Sequence, residues 1–441
     1  MKISVLTVFS ELYRPFIETS LIKRAQEKGI VSFDIDEFFS FVAPKERIDA
    51  PTFGHGPGML IKPCVVQNAI ESKQEVYGKA LKIFFSPQGT KLDQCLVAEI
   101  ARVFQERRHL MLIAGRYEGM DARVEAEYAD MTISVGDFVL MGGDLAALMV
   151  LESVLRLVPG VVGKTESVEQ DSFTGPFVDY PHYTEPVVWK GYAVPEVVRS
   201  GNHAAIRDWR TEQASRATVK FHFDWLRKQV LNPQELLIAR RNIPRHYIAL
   251  LHTDVLVGDD QKPGTTSVTS LDIHDIARSA RTYGVREYFI VTPLADQQKI
   301  VKRLLDFWMH DGIEYNVSRH EAIKQVSLAG GLEEVVETIE KHEGKRPVVI
   351  ATSARELDHS GSISFYDHKR VWSLDRPVLF IFGTGRGLTR EIIESCDFLL
   401  KPIKSFSDYN HLSVRSAVAI VLDRWLGINE TVCIRINNVG K

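Results

Sequence analysis

Two stretches carry residues spaced for chemistry. Leu112-Ile113-Ala114-Gly115-Arg116-Tyr117-Glu118-Gly119-Met120-Asp121 is followed closely by Ser134-Val135-Gly136-Asp137-Phe138-Val139-Leu140-Met141-Gly142-Gly143-Asp144. Each opens on an apolar run of strand type and ends in glycines, the pattern of a buried strand whose carboxyl end opens into a tight loop. Ligands of open α/β sheets sit at those carboxyl ends. Glycine lets the main chain come close enough to wrap a ligand with N–H and C=O groups. One such loop is an ordinary turn; two in succession, one with a Tyr-Glu pair and one with a Gly-Gly pair, point to a bound ligand.

The elements that hold these loops follow from hydrophobic spacing. Residues 1–9 form a first strand, and Glu11 to Lys28 has helical spacing, stopped by Gly29. A second strand region covers 31–42. The Gly- and Pro-rich run Asp49 to Met59 excludes a regular element and suits a loop that bends over a ligand. A helix is predicted over 62–78, a strand over 80–85 ending in Ser86-Pro87-Gln88-Gly89, a helix over 91–107 and another over 145–157. Strand and helix alternate, which predicts an α/β fold with a parallel sheet.

Residues 159–176 change to glycine, proline and polar residues and read as a linker or loop. Within them Gly160-Val161-Val162-Gly163-Lys164-Thr165 falls short of a phosphate-binding P-loop, because Val158 stands where glycine is needed and the segment follows a helix. Pro181-His182-Tyr183-Thr184 leads into a helical stretch over 202–230. There Arg207, Arg210, Arg216, Lys220 and Arg227 give the local density of cations that phosphate contacts need. Arg240-Arg241-Asn242-Ile243-Pro244 marks a boundary. A second α/β pattern follows, with strands expected at 247–251, 287–291, 347–351 and 378–382, a last helix opening from the polar turn at Asn410, and a short tail over 429–441. The halves share a spacing: Gly115 to Arg156 and Gly383 to Arg424 both span 41 positions, and Gly115 to Ser134 and Gly383 to Pro402 both span 19. A repeated ligand-binding architecture explains this.

Composition bounds the rest. With 441 residues, 45% hydrophobic and 25% charged, the chain is globular and large enough for two or three domains. A net charge of −3 gives no global basic field, so RNA contacts must be local. The four cysteines, Cys64, Cys95, Cys396 and Cys433, show no CxxC pairing, suggest neither a zinc site nor a disulfide framework, and fit a cytoplasmic protein. The first strand is too short for a signal sequence, and no apolar run is long enough to span a membrane.

The two glycine stretches, with the chain around them, closely resemble the bacterial tRNA (guanine-N1)-methyltransferases of the knotted SPOUT superfamily; the resemblance covers roughly residues 1–245. It implies a parallel-sheet α/β domain with a C-terminal trefoil knot over 1–160, a linker at 161–176, a small helical tRNA-binding domain over 177–245, and a homodimer in the cytoplasm. It also implies methyl transfer from S-adenosylmethionine to N1 of the guanine beside the tRNA anticodon. Asp171, in Glu169-Gln170-Asp171-Ser172-Phe173, matches the family's general base, and Arg156 matches the arginine that holds the guanine oxygen. Pro87, Gly115, Tyr117, Glu118, Gly119, Val135, Gly136, Asp137, Phe138, Val139, Leu140, Gly142 and Gly143 match the cofactor-binding positions. Magnesium is implied as well, although the sequence has no dedicated ligand cluster; no membrane or DNA partner is expected. Two departures predict altered loop detail: Phe53-Gly54-His55-Gly56 where the family has Tyr-Gly-Gly-Gly, and Gly142-Gly143-Asp144 where it has Gly-Gly-Glu.

The second half resembles a SPOUT-type RNA methyltransferase domain, expected over 246–428 and followed by the tail at 429–441. Phe382-Gly383-Thr384-Gly385-Arg386-Gly387-Leu388, Asn410-His411-Leu412-Ser413-Val414-Arg415-Ser416-Ala417 and Asp272-Ile273-His274-Asp275-Ile276-Ala277-Arg278 are similar to that superfamily's motifs. Ribose methylases begin the last of these with Asn; Asp272 in its place argues against ribose methylation. The alternative is that this half only grips RNA. A nucleotide-dependent α/β enzyme is disfavoured by the lack of a P-loop and of GxGxxG spacing.

Overall fold

The computed structural model describes residues 1–163, 171–310, 315–431 and 436. The chain divides into two compact units, Met1–Gly175 with Val432–Lys441, and Pro176–Thr431.

In the first unit, β1 (Lys2–Thr7), β2 (Ser32–Glu37), β5 (Leu81–Lys91), β6 (His109–Ile113) and β7 (Met131–Ser134) form one sheet in the order β2-β1-β6-β5-β7. Every pairing is parallel. Such a sheet is apolar on both faces because crossover helices cover both. Ile3, Val5, Leu81, Ile83, Leu110 and Leu112 point toward α2 (Gln94–Arg107) and α3 (Asp144–Arg156). Leu6, Phe84, Met111 and Ile113 point the other way, toward α1 (Pro63–Tyr77). The run Asp49 to Met59 folds into an antiparallel pair, β3 (Asp49–Pro51) and β4 (Met59–Ile61), whose glycine- and proline-rich tip leaves Phe53 fully exposed.

Two local expectations are corrected here. The helix expected over Glu11 to Lys28 is broken into Arg14–Ile17 and Ser20–Glu27, with Thr19 extended between them. β5 does not stop at Phe85. It runs on past Pro87, its register against β7 slipping between Phe85 and Thr90. Proline lacks the N–H that an unbroken ladder requires, so the strand bulges there.

The second unit begins with the hairpin β8 (Val188–Trp189) and β9 (Tyr192–Ala193) and the helices α4 (His203–Phe221) and α5 (Pro233–Asn242). The continuous helix expected over 202–230 ends at His222 and resumes only as the single turn Phe223–Leu226. Val219, Phe223, Leu226 and Ala239 from this region share one core with the sheet that follows. That sheet contains β10 (His246–Leu251), β13 (Glu287–Val291), β14 (Val326–Ala329), β15 (Val348–Thr352), β16 (Ser362–Ile363), β17 (Val378–Gly383) and β18 (Phe398–Leu400), ordered β14-β13-β10-β17-β15-β18-β16. A small antiparallel pair, β11 (Val255–Val257) and β12 (Lys262–Gly264), leads to α6 (Ser270–Thr282); α7 (Leu332–Glu343) and α8 (Val414–Leu426) are further helices. β14, β16 and β18 were not foreseen: they are two to four residues long, too short for alternation to register.

The repeat is present as topology. Without β14 and β16, the second sheet reads β13-β10-β17-β15-β18, the same strand order in sequence terms as β2-β1-β6-β5-β7. Gly115 and Gly383 then occupy matching places at or just past the fourth strand of each set, and α3 and α8 both follow the fifth strand.

Cys64 and Cys396 are thiols, Cys396 with its pKa pushed up to about 12 by burial, whereas Cys95 is disulfide-bonded. Spacing along the chain does not report which segments meet in space, so that bond was illegible in the sequence. The expected tail falls largely outside the described residues, but Ile436 is buried in the first unit and its N–H donates to Glu99 Oε1 at 2.8 Å. Residues 164–170 of the expected linker, including the rejected P-loop's Lys164-Thr165, likewise lie outside them. Among the described residues no helix is long and apolar enough to cross a membrane.

Candidate active site

β6, β5 and β7 are neighbours, so their carboxyl ends bring together the turn at Pro87, the turn Gly115–Gly119 and the turn Val135–Gly143. All the residues matched to cofactor binding therefore lie on one edge of one sheet. The two glycine turns touch through backbone. Gly143 N–H donates to Gly115 C=O at 2.8 Å. A Cβ on Gly143 would come within 3.1 Å of Ala114 Cα and Gly115 N, and one on Gly142 within 3.0 Å of Gly115 O. A side chain at either position would crowd the facing backbone and force it to shift, which favours the Gly-Gly pair at this crossing.

Tyr117 adopts a left-handed backbone at φ 62°, a costly state for a bulky residue that is held only where its surroundings demand it. The β3–β4 hairpin makes that demand: Glu118 N–H donates to Met59 C=O at 3.1 Å and Ile61 N–H to Gly119 C=O at 3.1 Å. The glycine-rich tip is thus anchored beside the Gly115 turn. Tyr117 is half exposed, and Phe138, Val139 and Met141 on the other turn are largely so. Lys91 pairs with Asp137 at the open end.

Beneath the turns lies a polar network that sequence reasoning missed. Asp144, 1% exposed, accepts from Thr7 Oγ1 at 2.5 Å, Tyr13 Oη at 3.0 Å and Arg116 Nε at 2.7 Å. Arg116 adjoins the Gly115 turn, Asp144 adjoins Gly143, and Thr7 ends β1, so a single carboxylate ties both turns to the sheet. Burial, with Asp144 beside it, pushes the Tyr13 phenol far above its ordinary range, so it remains a proton donor. The available signal was a carboxylate heading the otherwise apolar helix Asp144–Arg156.

Arg156 and Asp171 meet. Arg156 Nε lies 2.7 Å and Nη2 2.6 Å from Asp171 Oδ2, and both side chains are partly exposed. The Asp171 carbonyl is held by Thr174 Oγ1 at 2.6 Å. Arg156 is the last residue of α3, however, and the glycine turns adjoin its first. At about 1.5 Å per residue the two ends lie roughly 18 Å apart. Within one chain, the expected catalytic pair and the expected cofactor turns stand at opposite ends of one helix.

In the second sheet the glycine turn 383–387 is tied by backbone to the end of β10 and to β11. Thr384 N–H donates to Leu251 C=O at 3.2 Å, Leu256 N–H to Gly387 C=O at 2.8 Å and Arg386 N–H to Leu256 C=O at 2.9 Å. Among the described residues no group of three or more His, Cys, Asp or Glu side chains could hold a metal ion.

Comparison with known proteins decides the family. Residues 1–228 match the family tRNA (guanine-1)-methyltransferase TrmD. The chain belongs to that family. A protein of Oleidesulfovibrio alaskensis named tRNA (guanine-N(1)-)-methyltransferase is 38% identical over 97% of this chain and 99% of its own length; one of the same name from Nitratidesulfovibrio vulgaris is 37% identical over the same shares. A third, from Neisseria meningitidis serogroup A, is 43% identical over 53% of this chain but 94% of its own length. About half of this chain thus spans 94% of that shorter relative. Residues 245–427 match a second family, SAM-dependent RNA methyltransferase, so this member of the tRNA (guanine-1)-methyltransferase family carries two methyltransferase regions.

Proposed function

We propose that the chain transfers the methyl group of S-adenosylmethionine to N1 of the guanine next to the anticodon, position 37, of tRNA, and that its second unit is an S-adenosylmethionine-dependent RNA methyltransferase with its own target. The family supports the reaction class. The observation that carries the catalytic assignment is the Arg156–Asp171 pair.

Neutral guanine holds a proton on N1, so transfer needs a proton acceptor, and negative charge then grows on O6. Asp171 takes the N1 proton. Arg156, freed from the carboxylate by the incoming base, holds O6. The donor, when bound, supplies a methyl group made electrophilic by its sulfonium; the rest is alignment. The turns carrying Pro87, Gly115, Tyr117, Glu118, Gly119, Val135, Gly136, Asp137, Phe138, Val139, Leu140, Gly142 and Gly143 suit that group: they offer backbone donors and acceptors for an adenine edge beside exposed apolar side chains for its faces. Among the described residues no group of three or more His, Cys, Asp or Glu side chains marks a magnesium site.

The separation along α3 supports a homodimer in which Asp171 and Arg156 of one copy serve the turns of the other. Leu145 and Met149 on α3, with Val139 and Met141 before it, are exposed apolar side chains suited to meeting a second copy. The backbone crossing of Gly142-Gly143 over Ala114-Gly115 supports a trefoil knot. Arg207, Arg210, Arg216 and Lys220 are the proposed tRNA grip, a function assigned to residues 177–245; Arg227, expected with them, is instead buried and donates to the Asp423 and Arg424 carbonyls, so it is not free for phosphate. The cytoplasm is the proposed compartment. Nucleoside mass mapping of tRNA after reaction with the Asp171→Ala chain tests the assignment: 1-methylguanosine retained at position 37 at the parental rate would overturn it.

A further inference from the structure

The second unit has a polar cluster that joins residues of its three motif segments to buried side chains at the ends of β10 and β13, and nothing so far assigns it a substrate. On β13, β10 and β17 the residues facing the core alternate: Tyr288 and Ile290, Ile248 and Leu250, Phe380 and Phe382. One step of two further on, the same face ends in Thr292, His252 and Thr384, all buried on adjacent strands. Thr266 Oγ1 joins two of them, lying 3.0 Å from His252 Nδ1 and 2.5 Å from Thr384 Oγ1. His252 is 0% exposed and its Nε2 has no hydrogen-bond partner. A buried nitrogen left unpaired is costly and marks a place where another polar group belongs.

The first turns of α6 and α8 begin at this edge and bring Asp272 and Arg415. Thr269 Oγ1 donates to Asp272 Oδ2 at 2.6 Å, leaving Oδ1 facing Arg415 Nη1 at 3.8 Å. Arg415 Nε stands 3.7 Å from Asp275 Oδ2. Both separations exceed hydrogen-bond length. Asp272 and Arg415 therefore form a long ion pair, a carboxylate beside a guanidinium without a direct hydrogen bond between them. Asp272 is the charged group acting on His252. Through Thr266 and Thr384 the cluster adjoins the glycine turn 383–387, and through Arg415 it adjoins the segment 401–413.

We propose that this cluster is the acceptor site of the second unit and that it methylates the ring nitrogen of a lactam nucleobase in RNA, N3 of uracil or N1 of guanine, with Asp272 as proton acceptor and Arg415 on the neighbouring carbonyl oxygen. The proposal rests on the reading of this unit as an S-adenosylmethionine-dependent enzyme. Those two bases present an N–H beside a C=O, which is what a carboxylate beside a guanidinium complements. In adenine and cytosine the corresponding ring nitrogen carries no proton and stands beside an amino donor, which Arg415 would repel. A ribose hydroxyl is a far weaker acid than a lactam N–H and matches a carboxylate acceptor poorly. In the step, the ring N–H bond breaks and its proton passes to Asp272. A bond forms from nitrogen to the methyl carbon as the S–CH3 bond breaks, and S-adenosylhomocysteine leaves.

The test uses the full chain carrying Asp171→Ala, radiolabelled S-adenosylmethionine, and unmodified ribosomal and transfer RNA transcripts. The expected label is 3-methyluridine or 1-methylguanosine. Adding Asp272→Asn should lower its rate by about 100-fold or more while the second donor site still binds, and adding Arg415→Lys instead should lower it by roughly 10-fold, since lysine lacks the planar fork. Label in 2′-O-methylated nucleosides, in adenosine or in cytidine, or no label in either RNA, overturns the proposal. So does an Asp272→Asn rate equal to that of its parent. If Asp272→Asn also loses donor binding, Arg415→Lys decides, and an unchanged rate there overturns it. Binding of one donor per chain in the parent would instead sink the reading of the second unit as an enzyme.

Discussion

The two sheets share a strand order and a glycine turn at the end of the fourth strand, yet they put their charged residues at opposite ends of the helix that follows the fifth strand. In the first unit the Arg–Asp pair stands where α3 ends, about 18 Å along the helix from the turns. In the second, Arg415 is in the first turn of α8, directly at the edge. On the assignments proposed above, one topology would yield a site that needs a second copy and a site complete within one chain. Placement along a single helix makes the difference.

The first way to break this comparison is to remove the pair. Asp171→Ala should lower guanine-N1 transfer by about 10²–10⁴-fold with S-adenosylmethionine affinity unchanged by calorimetry. The second targets sharing between copies. Mixing Asp171→Ala chains with chains whose turns are blocked by Gly143→Val should restore about a quarter of parental activity, because half of randomly paired dimers hold one intact composite site. No restoration after subunit exchange would return the site to one chain.

A third prediction concerns what braces each edge. Asp144→Ala leaves Arg116 buried without its partner and should destabilise the first unit by about 3–5 kcal/mol, read as a lowered denaturation midpoint. The second unit is braced by aromatic packing around two buried histidines. Trp425 Nε1 donates to His246 Nε2 at 3.0 Å, and His368 hydrogen-bonds the Trp425 carbonyl. Burial lowers their pKa values to about 3 and about 4. Below the ordinary value near 6.5 the unfolded chain binds protons that the folded chain refuses. Their contribution is thus present above pH 6.5 and is lost as pH falls toward 4 and then 3. Urea midpoints followed by tryptophan fluorescence should decline across that window, with a weaker decline in His368→Gln. The smallest effect is expected from Lys91→Ala, whose exposed pair with Asp137 should be worth about 0–1 kcal/mol; a larger loss would mean that the pair braces the turn.

How much of this was legible follows the length of each pattern. The buried strands and their glycine turns could be read because apolar runs ending in glycine have a direct physical meaning. So could the repeat, as a spacing. The short strands β14, β16 and β18 and the break at His222 could not, since tertiary pairing and not local preference sets them. Asp171 and Arg156 are 15 positions apart and were linked only by family resemblance; the ion pair between them is a fact of the fold. Thr7, Tyr13, Arg116 and Asp144 come from three distant segments, so nothing local announces their network.

That network has a mechanical consequence. One carboxylate rivets both glycine turns to the head of α3. On the proposed assignment, a shift of the turns on donor entry would be carried along the helix to Arg156 at the far tip. If two copies are arranged head to tail, filling one pocket would tune its neighbour's grip on RNA, and by thermodynamic reciprocity RNA would tune the donor's affinity in return.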